Sequence, residues 1–153
     1  KPEACCIVPE KRQEVTTEGG LDVAGQQERA IKFVKPLLDK GIAVSLFIDP
    51  EINQVEAAKK TGAPFIELHT GAFSNAYGTE KEENKIQKLK KAAQYAQSLG
   101  LKVNAGHGLT YENVHRMHEI PNLVELNIGH NIIARAIFTG LESAVVEMKN
   151  LIK

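Results

Sequence analysis

Short, almost wholly apolar runs recur along the chain, and each is followed by a longer stretch whose apolar positions return every three or four residues. The runs at 4–8, 43–48, 65–69, 102–105 and 123–128 predict β-strands. Helices are predicted over 26–40, 51–60, 80–99, 112–119, about 131–138, and 141–152. Gly41, Gly62 and Gly100 stand where the first three helices should stop. Pro121 blocks continuation of the fourth. Pro36 inside the first helix predicts a kink or a break into two pieces. Thr79 with Glu82 three residues on fits a capping box, and Ile86, Leu89, Ala93 and Ala96 form the buried stripe of the long helix that follows.

Each strand is followed by a helix, and no β-hairpin signal intervenes. Strands this apolar are buried on both faces, as in parallel sheets covered by helices. The expected class is therefore α/β. Two architectures compete, an open doubly wound sheet and a (β/α)8 TIM barrel. The last unit favours the barrel. Its extra short helix opens straight after Gly129, as in the phosphate site that barrels build from their last strand-to-helix loops. A closed barrel has eight strands, so five predicted strands imply three more outside this sequence. The opening at Lys1 rather than Met agrees with that expectation. Residues 1–153 are accordingly read as one partial barrel domain.

Composition narrows the possibilities. Lys plus Arg and Asp plus Glu each number 19, so there is no long-range pull toward nucleic acid or an anionic membrane. No apolar stretch approaches the roughly 20 residues that span a bilayer. Cys5 and Cys6 are adjacent on a strand and point to opposite faces, which disfavours a disulfide between them. Further ligands at metal-site spacing are not found near them, so no metal site is expected at these cysteines. There is no GxGxxG after a strand, no P-loop, no HExxH and no GxSxG.

In such folds chemistry gathers at the C-terminal strand ends. Gly106-His107-Gly108 combines close backbone approach with a side chain that moves protons near neutral pH. The plain alternative is a glycine turn with an exposed His. Gly129-His130 opens a helix whose free amides and dipole favour an anion. Glu67 lies inside an apolar strand, where a carboxylate is costly unless it is paired or used. His69 on the same strand face reads equally well as a satisfied interior histidine. Asn104 and Asn127 are further candidates for the barrel mouth, and His115 and His118 read as surface residues. The charged segment from Glu10 to Gly25 follows a strand and ends in glycines, as a lid would.

Several of these stretches together resemble one family. Residues 8–23 (VPEKRQEVTTEGGLDV), 44–49 (VSLFID), 65–71 (FIELHTG), 103–111 (VNAGHGLTY) and 125–130 (ELNIGH) look like the ordered motifs of the pyridoxine 5'-phosphate synthases of vitamin B6 biosynthesis. The resemblance covers the whole chain. It implies the last five β/α units (strands four to eight) of a TIM barrel. It implies condensation of 1-deoxy-D-xylulose 5-phosphate with 3-amino-2-oxopropyl phosphate to pyridoxine 5'-phosphate, with release of inorganic phosphate and water.

Carried over by motif, His107 would be the proton donor and Glu67 would stabilise a transition state. Thr16 would bind the deoxyxylulose phosphate, and Gly108, Gly129 and His130 the aminooxopropyl phosphate. The 9–20 segment would close over the site. The resemblance further implies no cofactor, a homo-octamer and a cytoplasmic location. The family's remaining acid–base residues, a His and a Glu, belong to the first three strands and have no counterpart here, so this stretch alone is expected to be inactive. Two alternatives stand beside this reading: another phosphosugar barrel enzyme (isomerase, aldolase or epimerase), and a non-catalytic barrel fragment.

Overall fold

The computed structural model describes residues 1–9 and 19–153. Five parallel strands form one sheet: β1 (Ala4–Ile7), β2 (Ala43–Ile48), β3 (Phe65–His69), β4 (Lys102–Gly106) and β5 (Leu123–Asn127). Their spatial order is their chain order. The register runs Cys6 to Ser45, Phe47 to Glu67, and Glu67 to Asn104, with an irregularity where β4 meets β5. Parallel neighbours taken in chain order need crossovers of one hand, which carry the connecting helices to one side of the sheet.

Between the strands run α1 (Gln27–Asp39), α2 (Ile52–Lys60), α3 (Gly71–Ser74) and α4 (Glu82–Ser98), then a 3-10 helix over Val114–Glu119. After β5 come α5 (His130–Thr139) and α6 (Leu141–Leu151). Strand alternation sends Val44, Leu46, Ile48, Ile66, Leu68 and Val103 into one core with Val34 of α1, Val55 and Ala58 of α2, and Ile86 and Leu89 of α4. All four residues of the expected α4 stripe are buried. Burying a side chain such as Leu89 contributes roughly 1.5–3 kcal/mol. The opposite sheet face carries Cys6, Ser45, Phe47, Glu67, His69 and Asn104.

Several expectations need correction. α1 runs through Pro36 as one element. The ring costs the hydrogen bond to Lys32, yet Val34 is fully buried and Leu37 and Leu38 pack on the core on either side of it. Helix α4 starts at Glu82, and no side chain caps it. Thr79 instead donates to the Ala76 carbonyl at 2.6 Å, while Glu82 accepts from the Gly78 amide at 2.8 Å. The capping residues are therefore used by the preceding turn. Residues 71–74, outside every expected helix, form a helical turn. The fourth expected helix is a 3-10 segment, held to α4 by Arg116, which pairs with Glu82, Glu83 and its own neighbour Glu119. The other boundaries differ by a residue or two, as helix and strand ends do.

The two ends of the sheet differ in cover. Helix α5 has no buried residue, and Ile137 and Phe138 are 78% and 87% exposed. α6 returns against it through an Arg135–Glu147 pair at 2.7 Å. No helix among the described residues is long and apolar enough to cross a membrane.

Candidate active site

The C-terminal ends of β2 to β5 and the tip of β1 surround a cavity of about 530 Å³. Its lining includes Phe47, Glu67, His107, Gly108, Asn127, Gly129 and His130. Five of the six expected site residues thus meet in one place. The sixth, Thr16, lies outside the described residues, as does most of the expected lid. A second groove, about 490 Å³ between β1 and α1, holds Asp22 and Arg29 among apolar residues and none of the strand-end histidines. Chemistry favours the first.

Glu67 anchors the site from β3. Its carboxylate accepts from the Asn127 amide at 2.7 Å and lies 3.5 Å from the Cys6 sulfur. Burial pushes its pKa up, and the charge of Glu125 on β5 adds to this. The contacts with Cys6 and Asn127, and the nearby His69, pull the other way. Cys6 is exposed as a residue, yet protein around its sulfur and then the Glu67 charge push its pKa up to about 12, so the thiol stays protonated and donates. A Cβ at Gly106 would lie 2.5 Å from Glu67 Oε1 and 2.8 Å from the Asn127 carbonyl. Only glycine lets this carboxylate lie across β4.

His107 follows β4 in a left-handed backbone conformation, φ +82°. For a residue with a side chain this costs about 1–2 kcal/mol. Thr70, fully buried, holds the segment. Its amide donates to the Gly106 carbonyl at 2.8 Å, and its hydroxyl lies 2.7 Å from that carbonyl and 2.5 Å from the His107 carbonyl. The His107 ring lies edge-on to His69, with centroids 4.9 Å apart. His69 in turn meets Asp49 at 2.9 Å and Phe47 at 5.1 Å between centroids.

Across the cavity, Gly129 is the N-cap of α5 and His130 its first residue. No side chain caps this end. The first amides of a helix have no partner within it and face outward along the dipole. A Cβ on Gly129 would meet nothing within 4 Å, so the approach to these amides is open. The strand ends therefore present the open N-terminus of a helix opposite an imidazole and a buried, hydrogen-bonded carboxylate. Among the described residues, no group of three or more His, Cys, Asp or Glu side chains is arranged to hold a metal ion.

The family described as "Pyridoxal phosphate biosynthesis protein PdxJ" matches residues 1–153. The chain belongs to this family. It is 57% identical over 152 residues to the pyridoxine 5'-phosphate synthases of Coxiella burnetii strains Dugway 5J108-111, RSA 331 / Henzerling II and RSA 493 / Nine Mile phase I. Those alignments cover 99% of this chain and 63% of each relative, so the chain spans somewhat less than two thirds of their length. A chain from the crystal structure of the Amycolatopsis orientalis BexX/CysO complex aligns with 86% of this chain and 52% of its own, at 16% identity and a TM-score of 0.49.

For this PdxJ-family chain, sequence reasoning found the two Gly-His pairs and the strand carboxylate. It left His69 undecided and gave no role to Asp49 or Thr70, which also stand at strand ends. The Cys6–Glu67 contact escaped it. Asp49 and His69 are 20 residues apart, Cys6 and Glu67 61. No local pattern marks such pairs; only the shared inward face of neighbouring strands could have suggested them. Asn127, expected at the mouth, lines the cavity, whereas Asn104 is buried beneath it. His115 and His118 are exposed, as expected.

Proposed function

We propose that this chain supplies part of the active site of a pyridoxine 5'-phosphate synthase, which condenses 1-deoxy-D-xylulose 5-phosphate with 3-amino-2-oxopropyl phosphate and releases phosphate and water. The observation that carries this reading is one cavity gathering Glu67, His107, Gly108, Gly129 and His130, the residues that the family's motifs mark. In the proposed roles, Gly129, His130 and Gly108 hold the phosphate of the aminooxopropyl substrate, using free amides and the α5 dipole. His107 donates a proton to a departing oxygen. Glu67, buried and firmly hydrogen-bonded, stabilises charge that develops during the condensation. Thr16 contacts the deoxyxylulose phosphate, and the 9–20 segment closes over the reactants and keeps water from reactive intermediates.

The five strands are, in this reading, strands four to eight of a (β/α)8 barrel, with residues 1–153 as one partial domain. The unbroken strand order supports a barrel over a doubly wound sheet, whose order reverses at a switch point. The polar inward face supports it too, because a barrel mouth needs such a face. Assembly as a homo-octamer in the cytoplasm, without an organic cofactor or metal, completes the proposal. Exposed Ile133, Ile137 and Phe138 on α5 fit a surface that further protein covers.

The test is product formation by the full-length polypeptide. Pyridoxine 5'-phosphate and inorganic phosphate should appear only when both substrates are supplied, and the isolated 153-residue chain should form neither. Turnover by this chain alone would overturn the partial-site reading. Turnover of a single phosphosugar without the amino ketone would point to an isomerase, aldolase or epimerase instead.

A further inference from the structure

His69 lies in one of the family motifs but is given no role above, yet its ring is held on several sides. It is 7% exposed. Its Nδ1 lies 2.9 Å from Asp49 Oδ1 at the end of β2. An ionised carboxylate only accepts hydrogen bonds, so Nδ1 carries the proton of this contact. That fixes the tautomer of the neutral ring and locks its rotation about the side-chain bonds.

The locked ring is then placed against His107. The two imidazoles meet edge-to-face, with centroids 4.9 Å apart and planes at 67°. Phe47 closes the group, 5.1 Å from the His69 centroid and 6.4 Å from that of His107. Gly71 gives both rings their floor. A Cβ there would lie 2.5 Å from His69 Nε2 and 3.1 Å from His107 Cδ2. A side chain at 71 would push both rings at once. His107 itself sits on a glycine-flanked turn with φ +82°.

We infer that His69, anchored by Asp49, is a positioning residue that sets the orientation of the His107 ring. The inference rests on the proposed role of His107 in the condensation. His69 touches no substrate in this account; it acts through the ring it packs against. Proton transfer demands alignment as well as proximity, and displacement of a reacting group by about 1 Å can cost on the order of 100-fold in rate. In the proposed roles neither substrate phosphate is held by His69 or Asp49, so loss of His69 should spare binding.

The experiment uses the full-length enzyme with His69→Phe, Asp49→Asn and, as a reference, His107→Ala. His69→Phe keeps an aromatic ring of similar size and removes the anchor; Asp49→Asn removes the charge from a half-exposed position. Steady-state kinetics are measured with both substrates, and folding is followed by thermal melting. The expected result for His69→Phe and Asp49→Asn is a fall in kcat of about 10- to 100-fold, with KM for each substrate within about twofold of wild type.

A kcat within twofold of wild type in both variants would reduce His69 to a space-filling residue and overturn the inference. So would a loss confined to KM. Should His69→Phe fail to fold, Asp49→Asn decides alone. A His107→Ala enzyme that retained full turnover would remove the ring His69 is meant to orient, and with it the inference, while the reaction itself stood. A wild-type enzyme that forms no product from the two substrates would instead overturn the functional reading and this inference together.

Discussion

The two faces of the sheet are made from the same strands by simple alternation, yet they follow opposite rules. On the helix side, Val44, Leu46, Ile48, Ile66, Leu68 and Val103 are all fully buried and wholly apolar. On the other side, Ser45, Glu67, His69 and Asn104 are almost as buried but polar. Ser45 Oγ, His69 Nε2 and Asn104 Oδ1 have no hydrogen-bond partner among the described residues. The first face lowers the free energy of the fold. The second accepts an energetic cost to bury hydrogen-bonding groups and a carboxylate behind and beside the cavity. Stability and chemistry are thus separated across the thickness of one sheet, and substitutions on the two faces should separate in the same way.

The sharpest division is expected at His107. His107→Ala should lower turnover of the full-length enzyme by about 10²- to 10⁴-fold, the range for loss of a general acid, with little change in melting temperature. His107→Gly should be equally inactive but more stable than the alanine variant by about 1 kcal/mol, because glycine accepts the φ of +82° without strain. A denaturant titration of both variants measures the difference. Equal stability would mean that the turn is not strained.

The converse is expected on the helix face. Leu89→Ala should destabilise the fold by about 2–5 kcal/mol through lost burial and the cavity left behind. Turnover per folded molecule should stay near wild type. A large drop in kcat at a temperature where the variant is fully folded would break the division between the faces.

The smallest and most informative effect concerns Glu67. Its pKa is raised in the folded state, chiefly by burial. The folded protein therefore holds this proton more tightly than the unfolded chain does. The stability it contributes is present below the ordinary carboxylate range and is lost as pH rises through the raised value. Glu67→Gln does not titrate and can still accept from Asn127. The variant should be more stable than wild type at neutral pH, with the advantage shrinking as pH falls, while turnover drops. Melting curves at several pH values would show it. A variant less stable at neutral pH would mean that the charged carboxylate is favourably paired in the folded protein.

How much of this was legible beforehand follows from distance along the chain. The five strands and the α4 stripe were visible because alternation and three-to-four spacing are local signals, and one-sided burial merely honours them. The short α3 turn, and the 3-10 rather than α-helical form of residues 114–119, were not, because each is held by contacts from elsewhere. Arg116 reaches Glu82 and Glu83 on α4, and Thr70 reaches across to the backbone at Gly106 and His107. The unbroken α1 around Pro36 belongs with them, since packing of its neighbours on β2 outweighs a local penalty. In the site, the Gly-His pairs announced themselves by residue type and position, whereas the Asp49–His69 anchor did not.

The sequence by itself determined the α/β class, the order of the elements, the helix-facing core and the strand ends at which chemistry would gather. Periodicity, glycine punctuation and a few motifs are all written into neighbouring residues. Only the tertiary structure decided which of those strand-end groups meet. It laid Glu67 across a bare Gly106, aimed Asn127 and Cys6 at its carboxylate, and set His69 between Asp49 and His107. Those relations depend on strand register, which is specified by burying the apolar face of every strand together rather than by any one short stretch of chain.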